Sequence, residues 1–181
     1  MCTNCGDHRS HILRLCQRAA KTVRPFAIAL ISMLVTTQLP AQTFTVLYSF
    51  KGAPDAANPM AGLVMDGGGN LYGTTSAGGA SNNGTVFKLN ITGEVVLYSF
   101  CPKTNCADGA FPIAGLLRDK AGILYGTTSG GGISGQGVVF KLAMSGKESV
   151  LHRFAGNLKD GANPQAGLIR DAASNLYGTA A

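Results

Sequence analysis

The chain has 181 residues, 25 of them glycine, with 13% charged residues and a formal net charge of +6. Charge at half the usual ~25%, beside 45% hydrophobic residues, excludes intrinsic disorder. The glycines follow no triplet period, which excludes collagen, and each would cost ~1 kcal/mol inside a helix, which argues against a helical bundle. An all-β, turn-rich protein remains.

In chain order, residues 1–41 come first and hold most of the basicity: Arg9, Arg14, Arg18, Lys21 and Arg24 against Asp7 alone. A basic face on the folded part is therefore not expected, and neither is a nucleic-acid partner. Arg24 is followed by an apolar run at 26–35, then Pro40 and Ala41. A basic flank, a short apolar run and a small residue form the layout of a secretory signal peptide. The run is shorter than the ~20 residues a spanning helix needs. Cleavage after Ala41 is the expectation, with an uncleaved membrane anchor as the alternative. The long basic flank leaves room for a start codon downstream of Met1. Cys2, Cys5, His8 and His11 are spaced like metal ligands, yet too closely to fold a core around zinc, and are read as incidental.

From residue 43 the chain repeats. VLYSF at 46–50 recurs at 96–100 and as VLHRF at 150–154, offsets of 50 and 54. LYGTT at 71–75 recurs at 124–128 and as LYGT at 176–179. AGL begins at Ala61, Ala114 and Ala166, and GTVFKL at 84–89 recurs as GVVFKL at 137–142. Each copy reads as four short strands, near 45–50, 62–65, 71–75 and 85–89, with Asp/Asn/Gly turns between them. Four antiparallel strands in ~50 residues is the arithmetic of a β-propeller blade, and a β-helix coil is usually shorter. The copies run at about 43–92, 93–146 and 147–181, some two and two-thirds blades. The third stops before its fourth strand, which reads as a gene fragment. Propellers close with about four to eight blades, so open blade edges invite self-association. Of twelve aromatics after residue 41, only Phe44 and Phe111 are out of phase; the others are read as core.

The order LYGTT, a Gly-Gly loop, GTVFKL, VLYSF and a DGxxPxAGL element resembles the GloVer tandem repeat of exported bacterial choice-of-anchor proteins, over about residues 43–181. The segment joining the second and third strands is also similar to the two-component regulator propeller repeats. The resemblance implies a propeller-like fold and an extracellular or cell-surface location. It implies no activity.

Cys101 and Cys106, the cysteines beyond the leader, form the candidate disulfide, on the longest of the loops that follow VLYSF. Asp55, Asp108 and Asp160 recur in those loops. They are read as turn residues, with a ligand-binding rim as the alternative and calcium as the one cofactor considered. Asp66, Asp119 and Asp171 recur after the second strand as Asx turns. His152 takes the place of Tyr48 and Tyr98. No catalytic residue is assigned: G-x-S-x-G, a phosphate loop and a metal cluster are all missing beyond residue 41. The expected function is a non-catalytic surface module binding a protein or glycan. A structural spacer is the alternative, and a hydrolase or lyase using Asp108, Asp160 and His152 ranks below both.

Overall fold

The computed structural model describes residues 11–16, 42–157 and 159–181. The apolar run at 26–35, the proposed cleavage site, and Cys2, Cys5 and His8 lie outside the described residues. Among the described residues the protein is all-β, apart from one short 3-10 turn at Thr104–Cys106. No described helix is long and apolar enough to cross a membrane.

In chain order the first strands are β1 (His11–Cys16), β2 (Thr43–Ser49), β3 (Ala56–Ala57), β4 (Val64–Met65), β5 (Leu71–Thr75) and β6 (Ala77–Gly78). β7 (Thr85–Asn90), β8 (Gly93–Ser99), β9 (Leu117–Arg118) and β10 (Leu124–Thr128) follow. The last are β11 (Val138–Leu142), β12 (Glu148–Arg153), β13 (Ile169–Arg170) and β14 (Leu176–Tyr177). Two four-stranded antiparallel sheets form, β4-β5-β7-β8 and β9-β10-β11-β12; β13-β14, β1-β2 and β3-β6 are two-stranded. No sheet closes on itself among the described residues.

VLYSF does not open a sheet, as its place at the head of each sequence copy suggested. It closes the sheet of the copy before it, as β8 on β7 and β12 on β11. The cause is local. After β7 the Asn90 side chain accepts the Thr92 N–H at 2.8 Å, and Gly93 at φ +122° folds the chain straight back. A tight turn of this kind pairs its two flanking strands, whereas the long loop after VLYSF cannot.

The sheets stack face to face. Phe100, the residue after β8, meets Phe140 of the second sheet edge-on at 5.0 Å between ring centres. Phe50, after β2, meets Phe87 of the first sheet in the same way at 5.1 Å. Glycine in LYGTT makes room for these rings: a Cβ at Gly73 would lie 2.7 Å from Phe87 Cζ, and one at Gly126 2.7 Å from Phe140 Cζ. Tyr72, Val86, Leu124, Val138 and Leu142 complete the core between the two sheets, each such side chain contributing ~1.5–3 kcal/mol on burial. On the far side of the second sheet lies β13-β14, tied by Thr127 Oγ1 donating to the Ala166 carbonyl at 3.1 Å. Thr74 makes the matching bond to Ala114 at 2.9 Å one layer earlier.

Candidate functional site

The three loop acids anchor the turn that follows VLYSF. Asp55 accepts from Tyr48 Oη at 3.0 Å and from the Lys51 and Ala56 N–H groups. Asp108, fully buried, accepts from Tyr98 Oη at 2.8 Å and from the Cys101 N–H at 3.0 Å. Asp160 accepts from the Ala155 N–H at 2.6 Å and lies 2.7 Å from His152 Nε2. Burial pushes the Asp55 carboxyl up, but the donors from Lys51, Ala56 and Tyr48 win and hold it below its ordinary value. Burial and then the Asp55 bond push the Tyr48 hydroxyl up to about 12.

The second acid set behaves likewise. Asp66 Oδ1 accepts from the Gly68 and Asn70 N–H groups at 2.9 Å, closing the Asx turn, and Oδ2 takes Tyr72 Oη at 2.9 Å. Asp119 takes Tyr125 and Asp171 takes Tyr177. Arg118 lies 5.7 Å from the Tyr72 ring centre and Arg170 5.5 Å from that of Tyr125, each reaching across from the next sheet. Arg170 also bonds Asp119 at 3.2 Å. Each repeated acid thus has at least one carboxylate oxygen engaged by nearby loop or strand donors, while Asp108 Oδ1 is buried without a hydrogen-bond partner.

Cys101 and Cys106 are joined as a disulfide, in the loop after β8. Asp108 and Asp160 are held in separate loops, each by its own partners, so the structure supplies no shared acid pair with His152. Among the described residues no three His, Cys, Asp or Glu side chains converge as a metal site.

Sequence reasoning missed Glu94 and Glu148. Each stands two residues before the Val of its VLYSF-type segment, a phase that the repeats display but that Phe44 breaks in the first copy. Glu94 lies beside Asp55; burial first, and then the Asp55 charge, push its carboxyl up to about 7. Glu148 bonds Lys103 Nζ at 2.7 Å. Glu94 Oε1 and Glu148 Oε1 are buried without a hydrogen-bond partner. The raised Glu94 carboxyl favours the protonated form, which alone can donate to the neighbouring Asp55.

A cleft of about 510 Å³ opens between the second sheet and β13-β14. Val139, Leu151 and Phe154 line one wall, Leu168, Leu176 and Gly178 the other, and the His152–Asp160 pair stands at the rim. His152 is oriented by a carboxylate, as a general base would be; of the two threonines on the wall, Thr127 is engaged with the Ala166 carbonyl, and Thr179 also lines the cleft. The walls of the cleft are mainly apolar, with polar groups from Thr127, His152, Asp160 and Thr179 among its lining.

A family model described as the Gloeobacter/Verrucomicrobia repeat matches residues 33–181. A search among curated proteins returns no match.

Proposed function

We propose, from a chain that belongs to the Gloeobacter/Verrucomicrobia repeat family, that this is a propeller-type module that works by binding and not by catalysis. The propeller reading is supported by the repeated stacking of sheets through one Phe pair per layer, each complete sheet borrowing its outer strand from the next copy. The non-catalytic reading is supported by one observation: the repeated acids are tied to loop and strand donors, and the cleft beside the His–Asp pair has mainly apolar walls.

The module is exported by this reading and meets a surface protein or glycan. The leader layout of residues 1–41 supports export, and the Cys101–Cys106 disulfide is of the kind that persists in oxidising compartments. Glycan-array and surface-protein binding by the full chain tests the function. A specific ligand supports it, no ligand in either screen leaves a spacer, and hydrolysis of a bound glycan that is lost in His152→Ala overturns it. N-terminal sequencing of the exported chain tests the location, with Gln42 as the expected first residue.

A further inference from the structure

The loop after VLYSF is built three times on one backbone plan. The residue before its proline takes the left-handed conformation each time: Asn58 at φ +55°, Phe111 at +56° and Asn163 at +46°. Asparagine suits this conformation because its short polar side chain bonds locally, whereas a bulky aromatic there is an outlier. The backbone ties around the position are shared. Phe111 donates its N–H to the Asn83 carbonyl at 2.8 Å, as Asn163 does to that of Gln136 at 2.8 Å. The Phe111 carbonyl accepts from the Ser129 N–H at 3.1 Å and from its hydroxyl at 2.9 Å, as the Asn58 carbonyl does from Ser76. The turn forms equally well with asparagine, so the ring is not there to make it.

Nor does the ring belong to the core. Phe111 is 46% exposed, where Phe100 and Phe140 are fully buried. Beside it lies Gly130: a Cβ at that position would stand 3.1 Å from Phe111 Cδ2. The matching residue of the first copy is Ala77, next to the Ser76 that holds Asn58. The second copy therefore differs from the first at both places together, a ring for an amide and a glycine for an alanine, and the glycine lets the ring close on the backbone. The seat is tied on every side. Backbone bonds fix Phe111 to the 76–84 loop and to the 129–137 loop. The Cys106 carbonyl accepts from the Gly132 N–H at 2.8 Å, which joins the disulfide-bearing loop to the same place. An exposed ring on a pre-ordered backbone loses little freedom on binding, which suits it as an anchor.

The chemistry around the ring selects the ligand. Residues 76–84 and 129–137 carry no charged side chain. Within 101–112 the Lys103 ammonium is paired with Glu148, and Asp108 is buried against Tyr98. The polar side chains of the two loops are neutral hydroxyls and amides, among them Ser81, Asn83, Ser134 and Gln136. A phosphate, a polyanion or a basic peptide meets no counter-charge on such a rim. A purely apolar peptide would cover hydroxyls and amides without pairing them. A neutral sugar answers both conditions. Its C–H bonds carry slight positive charge toward the negative face of an aromatic ring, and its hydroxyls exchange hydrogen bonds with amides and hydroxyls. We propose that Phe111 is the stacking platform of a binding site for neutral polysaccharide, on the rim formed by the 76–84, 101–112 and 129–137 loops. This rests on the binding reading above and narrows it, to a glycan as the ligand and to the second copy as the place.

Affinity electrophoresis of the full chain through native gels containing hydroxyethylcellulose, xylan or galactomannan measures the binding, with polygalacturonate as the charged control. Phe111→Asn installs the residue of the other two copies, and Phe111→Tyr keeps a ring. The parent is expected to be retarded by at least one neutral polymer and not by polygalacturonate. Phe111→Asn should lose about tenfold or more in affinity, and Phe111→Tyr should stay within about threefold of the parent. The melting temperature of Phe111→Asn should equal or exceed that of the parent, because asparagine suits the left-handed backbone. Undiminished retardation of Phe111→Asn overturns the platform and leaves the binding reading standing, with the glycan held elsewhere. Lost retardation together with a lowered melting temperature in Phe111→Asn assigns the ring to packing and also overturns it. Retardation by polygalacturonate alone overturns the neutral ligand. A parent retarded by no neutral polymer overturns the site, and the surface-protein screen then decides the broader reading: a bound protein preserves it, and no ligand in either screen leaves a spacer.

Discussion

Replacing Phe140 with alanine tests the stacking of the sheets directly. The ring is fully buried and lies over Gly126 with edge-on contact to Phe100 at 5.0 Å. Truncating a buried Phe to Ala costs ~3–5 kcal/mol through lost transfer energy and the cavity left behind. Loss of the aromatic pair accounts for ~0.5–1.5 kcal/mol beyond area alone. The glycine floor cannot rise to fill the gap, so the expected cost lies in the upper half of that range, ~4 kcal/mol, a large part of the ~5–15 kcal/mol typical of a folded protein. Phe87→Ala should cost the same to within ~1 kcal/mol, since Phe87 sits over Gly73 against Phe50 in the same geometry one layer earlier. Ile91→Ala, in the exposed β7-β8 turn, serves as the control and should stay within ~0.5 kcal/mol of the parent. Urea unfolding of the full chain, followed by tyrosine fluorescence and far-UV circular dichroism, reads all three. A cost below ~2 kcal/mol for Phe140→Ala would refute face-to-face packing of the two complete sheets. A normal cost there with a negligible one for Phe87→Ala would refute the packing of β2 on the first sheet.

Other residues give independent checks. Glu94 is raised from 4.5 to about 7 by burial and by Asp55, so over that window the folded chain keeps a proton that the unfolded chain has lost. Its contribution is fully present below pH 4.5 and is lost as pH rises through about 7. The melting temperature should fall across that interval, and Glu94→Gln should flatten the fall. Gly126→Ala should cost ~1–3 kcal/mol in the same urea experiment, because its Cβ would press on Phe140. Replacing both Cys101 and Cys106 with serine should cost ~2 kcal/mol, the value for so short a closed loop, and the denaturant midpoint of the parent in reductant should drop to match. Asp108→Ala should cost ~1–3 kcal/mol by stranding Tyr98 Oη and the Cys101 N–H, whereas a residue kept only for an external ligand would leave the melting temperature unchanged.

Much of the candidate site is legible in the amino-acid sequence. Repetition marked Asp55, Asp108 and Asp160 as a set, and their place before Gly or Ala and a Pro marked them as turn residues. Their aromatic partners were not legible, because Tyr98 and Asp108 lie ten positions apart across a loop whose path no local rule dictates. Glu94 escaped for a related reason: its neighbour Asp55 belongs to another layer of the stack, and Phe44 interrupts the phase that would have flagged it.

Composition and period sufficed for the all-β class, the repeats and the phased core, since alternation along a strand and glycine at a turn are local properties of the chain. Pairing is not local in that sense. Alternation says which face of VLYSF is apolar, but its ladder partner is decided by which flanking connection can fold back, and the Asn90–Gly93 turn decides for the preceding strand. Residues 11–16 show the limit most plainly. By composition they sit in the basic flank of a leader; by backbone register they stand where TVFKL and VVFKL stand. Only the tertiary structure separates these roles, because a strand acquires its identity from the edge it completes.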